Sequence, residues 1–507
     1  MTQDTQIVLP FARLCGKNLQ ADFDGGTLSS DGGVLFLREI EARVGLIRRF
    51  AGALDDARDA RYTDHSYEEM LSQRIFQIAC GYDDANDCTT LRHDPAIKVA
   101  CGRLPILGEP LASQPSISRL ENSPRRSELY RMAQALFDTF AASYEQVPKS
   151  ILLDIDDTAD EVHGAQQQSL FNGYYDSYCY LPLHIYEGQS GKLITTLLRP
   201  GRRPTGQEIV SILKRVVGAI RRQWPEVLIL LRGDGHFSAP EVHEWCESQE
   251  PEIFYILGQS GNNVLKEKTR GILQQAQLLY RLRQERYQRK KQQEEYKQRK
   301  SKSKKHNLPK RSENEVITEQ LKVKLYTEFL YQAETWSKPR RIICKVEVSE
   351  KGENIRFVVT NLQHTRKAYI YETIYCGRGQ MENYIKDHKR FLHSDRLSCH
   401  KFEANQFRVF LHSAAYMLMH TLKTQGLRGT AWSRAQFDQI QLRVLKVGVR
   451  IEELKTKVRF HFPSSFPLKE VYARVLANLS SMELCRSPSW RSPRSARPRL
   501  IRGNGDQ

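Results

Sequence analysis

The sequence predicts a mixed α/β protein with a helical leading region and an inserted basic block. Three observations predict this. Apolar residues recur at helical spacing through the first 145 residues. Short apolar strands bounded by Asp and Gly follow from about 150. The segment from 265 to 365 then replaces that grammar with a dense run of cations. A chain of 507 residues exceeds one ordinary core, so several domains are expected. Their boundaries fall at 1–145, 146–264, 265–365, 366–425, 426–485 and 486–507.

In the leading region, Ser29-Ser30-Asp31 is placed to cap a helix through Leu35, Leu37, Ile40 and Val44. Ser66-Tyr67-Glu68-Glu69 matches a capping box ahead of Leu71, Ile75 and Ile78. Ser113 to Arg119, with Pro115 near its first turn, starts another short helix. Exposed Arg119, Arg125 and Arg126 suit a helix-turn-helix-like DNA reader, and a helical packing domain with a basic face fits equally well.

From 150 the pattern becomes α/β. Ile151 to Asp156 is a strand, as are Tyr180 to Tyr186 and Leu193 to Leu198. A helix over about 205–222 leads to Val227-Leu-Ile-Leu-Leu231, an apolar run suited to a buried central strand. A helix from Pro240 to Cys246 precedes the strand Ile253 to Leu257. Residues 281–311 hold fourteen Lys or Arg against three Glu, which predicts a charged helix fading into a loop around Ser301 to Pro309. Arg341 to Val348 and Ile355 to Thr360 read as a β-hairpin, residues 402–425 as a helix, and the Arg-, Ser- and Pro-rich tail beyond 486 as disordered.

The net charge of +18 favours a polyanionic partner, and nucleic acid is the commonest one. No long apolar span or signal segment marks the sequence, so no membrane partner and a cytoplasmic, nucleoid-associated location are expected. Ten scattered cysteines without a CxxC pair exclude a zinc ribbon and a disulfide framework. His163, His184 and His236 lack the paired spacing of a zinc hydrolase.

Cleavage of a phosphodiester needs stabilisation of charge on two oxygens, which two divalent ions held by carboxylates can supply. In Leu153-Asp154-Ile155-Asp156-Asp157-Thr158, strand alternation puts Asp154, Asp156 and Thr158 on one face and turns Asp157 away. Asp234 emerges at the end of the buried strand in Arg232-Gly-Asp234-Gly-His236. Read as a helix, Tyr375 to Lys389 gathers Tyr375, Arg378, Glu382, Lys386 and Lys389 in one arc. Each lone acid has a plain alternative as a turn residue or cap. The surrounding cations are expected to hold the acids ionised.

The order DxDDT, RGDGHF and Y-x2-R-x3-E-x6-K resembles the DDE transposases of bacterial insertion sequences. The last element matches the insertion-sequence-4 superfamily in spacing. His163-Gly164, Phe171 to Tyr175, Leu181-Pro182-Leu183, Arg199-Pro200-Gly201 and Gly81 to Asp87 resemble the insertion-sequence-1380 family, over roughly residues 20–480. The resemblance implies an RNase H-like catalytic core, an N-terminal helical DNA-binding domain, and an inserted basic, partly β domain between the second Asp and the Glu. It implies a catalytic triad of Asp156, Asp234 and Glu382, with Asp154 a further candidate metal ligand. Two Mg²⁺ ions would be bound, and Mn²⁺ could substitute. The partners would be double-stranded DNA, as terminal inverted repeats and as target, and a second copy of the chain in a homodimer. Tyr375, Arg378, Lys386 and Lys389 would contact phosphates, aided by Arg119 and by Lys290, Lys291, Arg299 and Lys300 of the basic run. Trp336 is the insertion's candidate for holding a flipped base, with packing as its alternative. His236 stands where the related text has a small residue. A nuclease without strand transfer and a non-catalytic DNA-binding relic are the competing functions.

Overall fold

Runs rich in Ile, Leu and Val pair into a sheet because burial on both faces favours branched side chains, while Gly, Pro and Asp break the runs. The structure, a computed structural model, describes residues 8–300 and 321–483. The eight strands run in the order 323–331, 340–349, 352–360, 253–259, 228–233, 150–157, 183–187, 193–197. Leu228–Gly233 pairs in parallel with both Ser150–Asp157 and Ile253–Gln259, and the other pairs are antiparallel. From 193–197 through 253–259, a three-stranded antiparallel meander is joined to two parallel strands. The result is a mixed α/β fold around a central mixed sheet. The crossover into Leu228–Gly233 carries the helix Gly206–Gln223, whose capping box is formed reciprocally by Thr205 and Glu208.

The chain divides into two compact units, residues 140–161 with 168–385, and residues 1–139 with 162–167 and 386–507. These boundaries differ from the expected ones. The three strands between 323 and 360 extend the core sheet, since Gly352–Thr360 pairs antiparallel with Ile253–Gln259. The basic run forms the helix Arg270–Lys300. Its predicted loop around Ser301 to Pro309, and the tail beyond 486, lie outside the described residues.

In the other unit, the helix Phe402–Thr421 packs on Tyr67–Ala79 of the leading region. Buried Arg74 and Arg408 share Glu121: Arg74 Nε lies 3.1 Å from Oε1 and Arg408 Nε 3.8 Å from Oε2. The apolar periodicity of the 402–421 helix does not by itself say which unit it covers.

Local differences have local causes. The predicted strand Tyr180 to Tyr186 splits into Ser177–Tyr180 and Leu183–Glu187 at Pro182, which has no N–H for the ladder. The helix expected from Ser29-Ser30-Asp31 starts later, at Val34, without a side-chain cap. Ser29 instead pairs with Val449 in a small sheet. Ser66 caps its helix as expected, accepting from Glu69 N at 3.1 Å, but the Glu69 carboxylate turns to Arg103 and His65. All nine described cysteines are free thiols. Among the described residues no helix is long and apolar enough to cross a membrane.

Burial pushes His243 and His388 down to about 3. The unfolded chain takes up these protons near pH 6.5, well before the folded protein does, so their contribution is complete above 6.5 and is lost as pH falls. Stability should drop by about 1.4 kcal/mol per pH unit for each of these histidines below 6.5. Denaturant midpoints measured from pH 7 to 5 should show the drop, and His243→Phe should flatten it.

Candidate active site

Two adjacent parallel strands build the site. Their register sets Arg232 opposite Asp154. The two side chains form a buried, two-pronged ion pair, Nε to Oδ1 at 2.6 Å and Nη2 to Oδ2 at 2.5 Å. Arg232 Nη1 also donates to the Ile374 carbonyl. A Cβ at Gly377 would lie 2.8 Å from that same Nη1, so only glycine lets the late segment come this close. Both oxygens of Asp154 are thereby occupied by Arg232. Asp154, expected as an additional metal ligand, therefore stands as a buried structural acid. The one-chain reading missed this because its partner lies 78 residues away.

Two residues beyond the pair, each strand carries an acid at its end. Asp156 Oδ2 accepts from Arg378 Nη1 at 2.7 Å. Asp234 Oδ1 accepts from the His236 backbone N–H at 2.8 Å. The two carboxylates repel one another. Burial, opposed by Arg378 but reinforced by Asp234 and Asp157, pushes Asp156 up to about 7. The expectation that nearby cations hold the acids ionised fails here, because burial outweighs a single guanidinium.

Asp157 faces the other way. Its Oδ1 lies 3.3 Å from His236 Nδ1, and its buried Oδ2 has no hydrogen bond, with Arg199 Nη1 at 4.0 Å. Asp157 raises the His236 imidazole above its usual value, chiefly through that hydrogen bond. Arg203 donates to the carbonyls of Gly235 and His236. His236 thus ties the two acid-bearing loops together, with Arg203 bonded to the Asp234 loop and Arg199 beside Asp157. Sequence reasoning gave neither a role, although Arg199-Pro200-Gly201 and the unusual His236 had both drawn notice.

The late segment is not one regular helix. A π-turn over Ile370–Tyr375 passes to a 3₁₀ turn at Cys376–Arg378, then to the α-helix Gly379–Lys386 and a second π-turn at Asp387–Phe391. Ile370 and Tyr371 seat it on Ile256, Ile343 and Val358 of the sheet. These changes of winding break the 100° projection that set five residues on one arc. Arg378 and Tyr375 point into the acid site. The Tyr375 hydroxyl packs against Gly258, where a Cβ would lie 2.9 Å away, and burial pushes the phenol up. Glu382 is exposed, and no hydrogen bond or ion pair joins it to Asp156 or Asp234.

Among the described residues, no three His, Cys, Asp or Glu side chains are gathered to hold a metal. The donor chemistry of Asp156 and Asp234 still fits a divalent ion. Both are hard oxygen ligands, and their crowding is the kind that a bound cation relieves.

The remaining candidates lie elsewhere. Lys386 and Lys389 fall in the other unit, with Lys386 Nζ 5.3 Å from the Phe391 ring centroid. Arg119 is exposed on its short helix. Lys290 and Lys291 are exposed on the long basic helix, which also includes Arg299 and Lys300. Trp336 is buried against His243, Tyr331 and Arg340, so packing accounts for it.

The model of the family described as transposase DDE domain, group 1, matches residues 11–484. The chain belongs to that transposase family. No curated protein matches it. A similar solved structure is the cryo-EM structure of the piggyBac transposase synaptic complex with hairpin DNA. It has 9% identity and a TM-score of 0.37, with 90% of this chain and 86% of that one covered.

The two first-strand acids should respond oppositely to substitution. Asp154→Asn leaves Arg232 buried without its ion partner and should cost about 3–5 kcal/mol in equilibrium unfolding. Asp156→Asn removes a desolvated, repelled carboxylate and should leave stability unchanged or higher. Equal losses from the two substitutions would contradict these assignments.

Proposed function

We propose that this transposase cuts DNA at the terminal inverted repeats of its element and joins the freed 3′ ends to target DNA. The observation that supports this most is the pairing of Asp156 and Asp234 at the ends of adjacent parallel strands, with Arg378 on Asp156. Asp156 and Asp234 would hold Mg²⁺, with Glu382 as the third carboxylate. Two bound ions would supply an activated water or 3′-hydroxyl and neutralise charge at the phosphorus.

The chain's own groups do the rest. Arg378 is held at the acid pair, where a phosphate oxygen would take over its N–H donors. Tyr375, kept protonated by burial, can donate a hydrogen bond beside it. Arg203 on the Asp234 loop and the helix Arg270–Lys300 offer cations to the DNA backbone. Lys386, Lys389 and Arg119 would add phosphate contacts from the other unit. No Ser or Tyr nucleophile is invoked, since water and the DNA hydroxyl serve. Two copies of the chain would hold the paired ends, in the host nucleoid. The resemblance to the insertion-sequence-1380 family supports reading the element as a bacterial insertion sequence.

Purified protein given Mg²⁺ and DNA carrying the element's ends should nick at those ends and form joined products on a target plasmid. Asp234→Asn and Glu382→Gln should each lower cleavage roughly 100-fold or more while leaving gel-shift affinity for the ends nearly intact. Full cleavage by Asp234→Asn would refute the proposal. Cleavage by the parent without joined products would reduce the activity to that of a nuclease.

A further inference from the structure

Three residues beyond Asp157, the chain enters a small sheet in which Ser177–Tyr180 pairs with both Asp160–Glu161 and Leu170–Asn172. The turn joining Leu170–Asn172 to Ser177–Tyr180 is shaped by Asn172, whose Oδ1 accepts from Tyr174 N at 3.0 Å, and by Asp176 in the left-handed region at φ 52°. This hairpin is tied to the site's cationic loop. Asn172 Nδ2 donates to the Gly201 carbonyl at 2.9 Å, and Leu181 N–H to the Arg199 carbonyl at 3.0 Å. Arg199 is the residue that faces Asp157.

The tip displays four aromatic rings to solvent. Tyr174 is 88% exposed, Tyr178 58%, Phe171 55% and Tyr175 38%. Tyr174 and Tyr175 meet edge to face at 4.9 Å between centroids, and Phe171 and Tyr178 at 5.6 Å. Burying such rings is the usual way to lower their free energy, so a tip that exposes four of them has a use for their faces. Through Gly201 and Arg199, which lies 4.0 Å from the Asp157 carboxylate, the hairpin is anchored to the strand end that carries Asp156.

We infer that the Phe171–Tyr178 tip is a stacking platform for an unpaired nucleobase of the DNA strand whose phosphodiester enters the Asp156–Asp234 site. The inference rests on the transposase reading and adds a base-binding subsite to it. The surroundings argue for a nucleotide over an apolar protein partner. Rings alone would suit either. Rings anchored to a loop that exposes Arg202 and Arg203 match a ligand with flat faces and an anionic backbone. Stacking needs no base-specific hydrogen bond, so the platform would accept any base.

The test uses the full-length protein and a single-stranded oligodeoxynucleotide carrying one 5-iodouracil, in Ca²⁺ buffer. After irradiation, mass spectrometry should map the cross-link to residues 170–178. Tyr174→Ala should abolish most of that cross-link, and pairing it with Tyr178→Ala should weaken anisotropy-measured binding about tenfold. Tyr174→Phe, which keeps the ring, should restore the cross-link. Tyr174 is too exposed for its truncation to unfold the chain, and circular dichroism checks this. Cross-links confined to other regions, or alanine variants that bind as tightly as the parent, would overturn the platform. The same preparations are assayed for Mg²⁺-dependent cleavage. Cleavage retained without the cross-link overturns only the platform, whereas a cross-link in a parent protein that never cleaves overturns the transposase chemistry.

Discussion

The ion pair between Arg232 and Asp154 is the constraint on which the site depends. It lies at one rung of a parallel ladder, and a ladder has no freedom beyond that rung. Once Arg232 and Asp154 face each other, the acids two residues further on each strand must end side by side. The same guanidinium donates to the Ile374 carbonyl and leaves room only for Gly377, so it also anchors the segment that brings Tyr375 and Arg378 to the acids. One buried arginine therefore joins three stretches of chain far apart in sequence. Breaking a buried pair of this kind leaves an uncompensated charge, which makes the arrangement strongly preferred once formed.

Asp156, beyond that rung, has fewer donors than Asp154. Asp154 has its full complement of donors. Asp156 has one guanidinium, an acidic neighbour on each side and little water, and its proton affinity rises accordingly. Such a carboxylate pair is a poor contributor to folding and a good receiver of a small, hard cation. The two conditions are separated in space: the ion-paired acid lies deeper in the sheet and the crowded ones at its end. Asp157, on the reverse face, bonds to His236 and so links the two loops, with Arg199 4.0 Å away.

Much of this was legible in the sequence, and the rest was hidden for identifiable reasons. The strands around Asp156 and Asp234 stood out because buried parallel strands are nearly continuous apolar runs. The helix expected over about 205–222 is present as Gly206–Gln223. Arg232 could not be paired with Asp154, since a cross-strand ion pair leaves no trace in local spacing. The Tyr375 to Lys389 stripe failed because a 100° projection assumes uniform winding, and π and 3₁₀ turns interrupt it. Unit membership of the 402–421 helix was equally invisible, since an apolar face does not name its partner. The aromatic tip was visible as Phe171 to Tyr175, but only its exposure beside the acids suggests a task.

The central claim is that strand register gathers Asp156 and Asp234 into one ion-binding pair. Anomalous diffraction from crystals soaked in Mn²⁺ tests it most directly. The account predicts a manganese peak bonded to carboxylate oxygens of both Asp156 and Asp234. A manganese ion bound elsewhere, with Arg378 still bonded to Asp156 and no peak between the two acids, would contradict it.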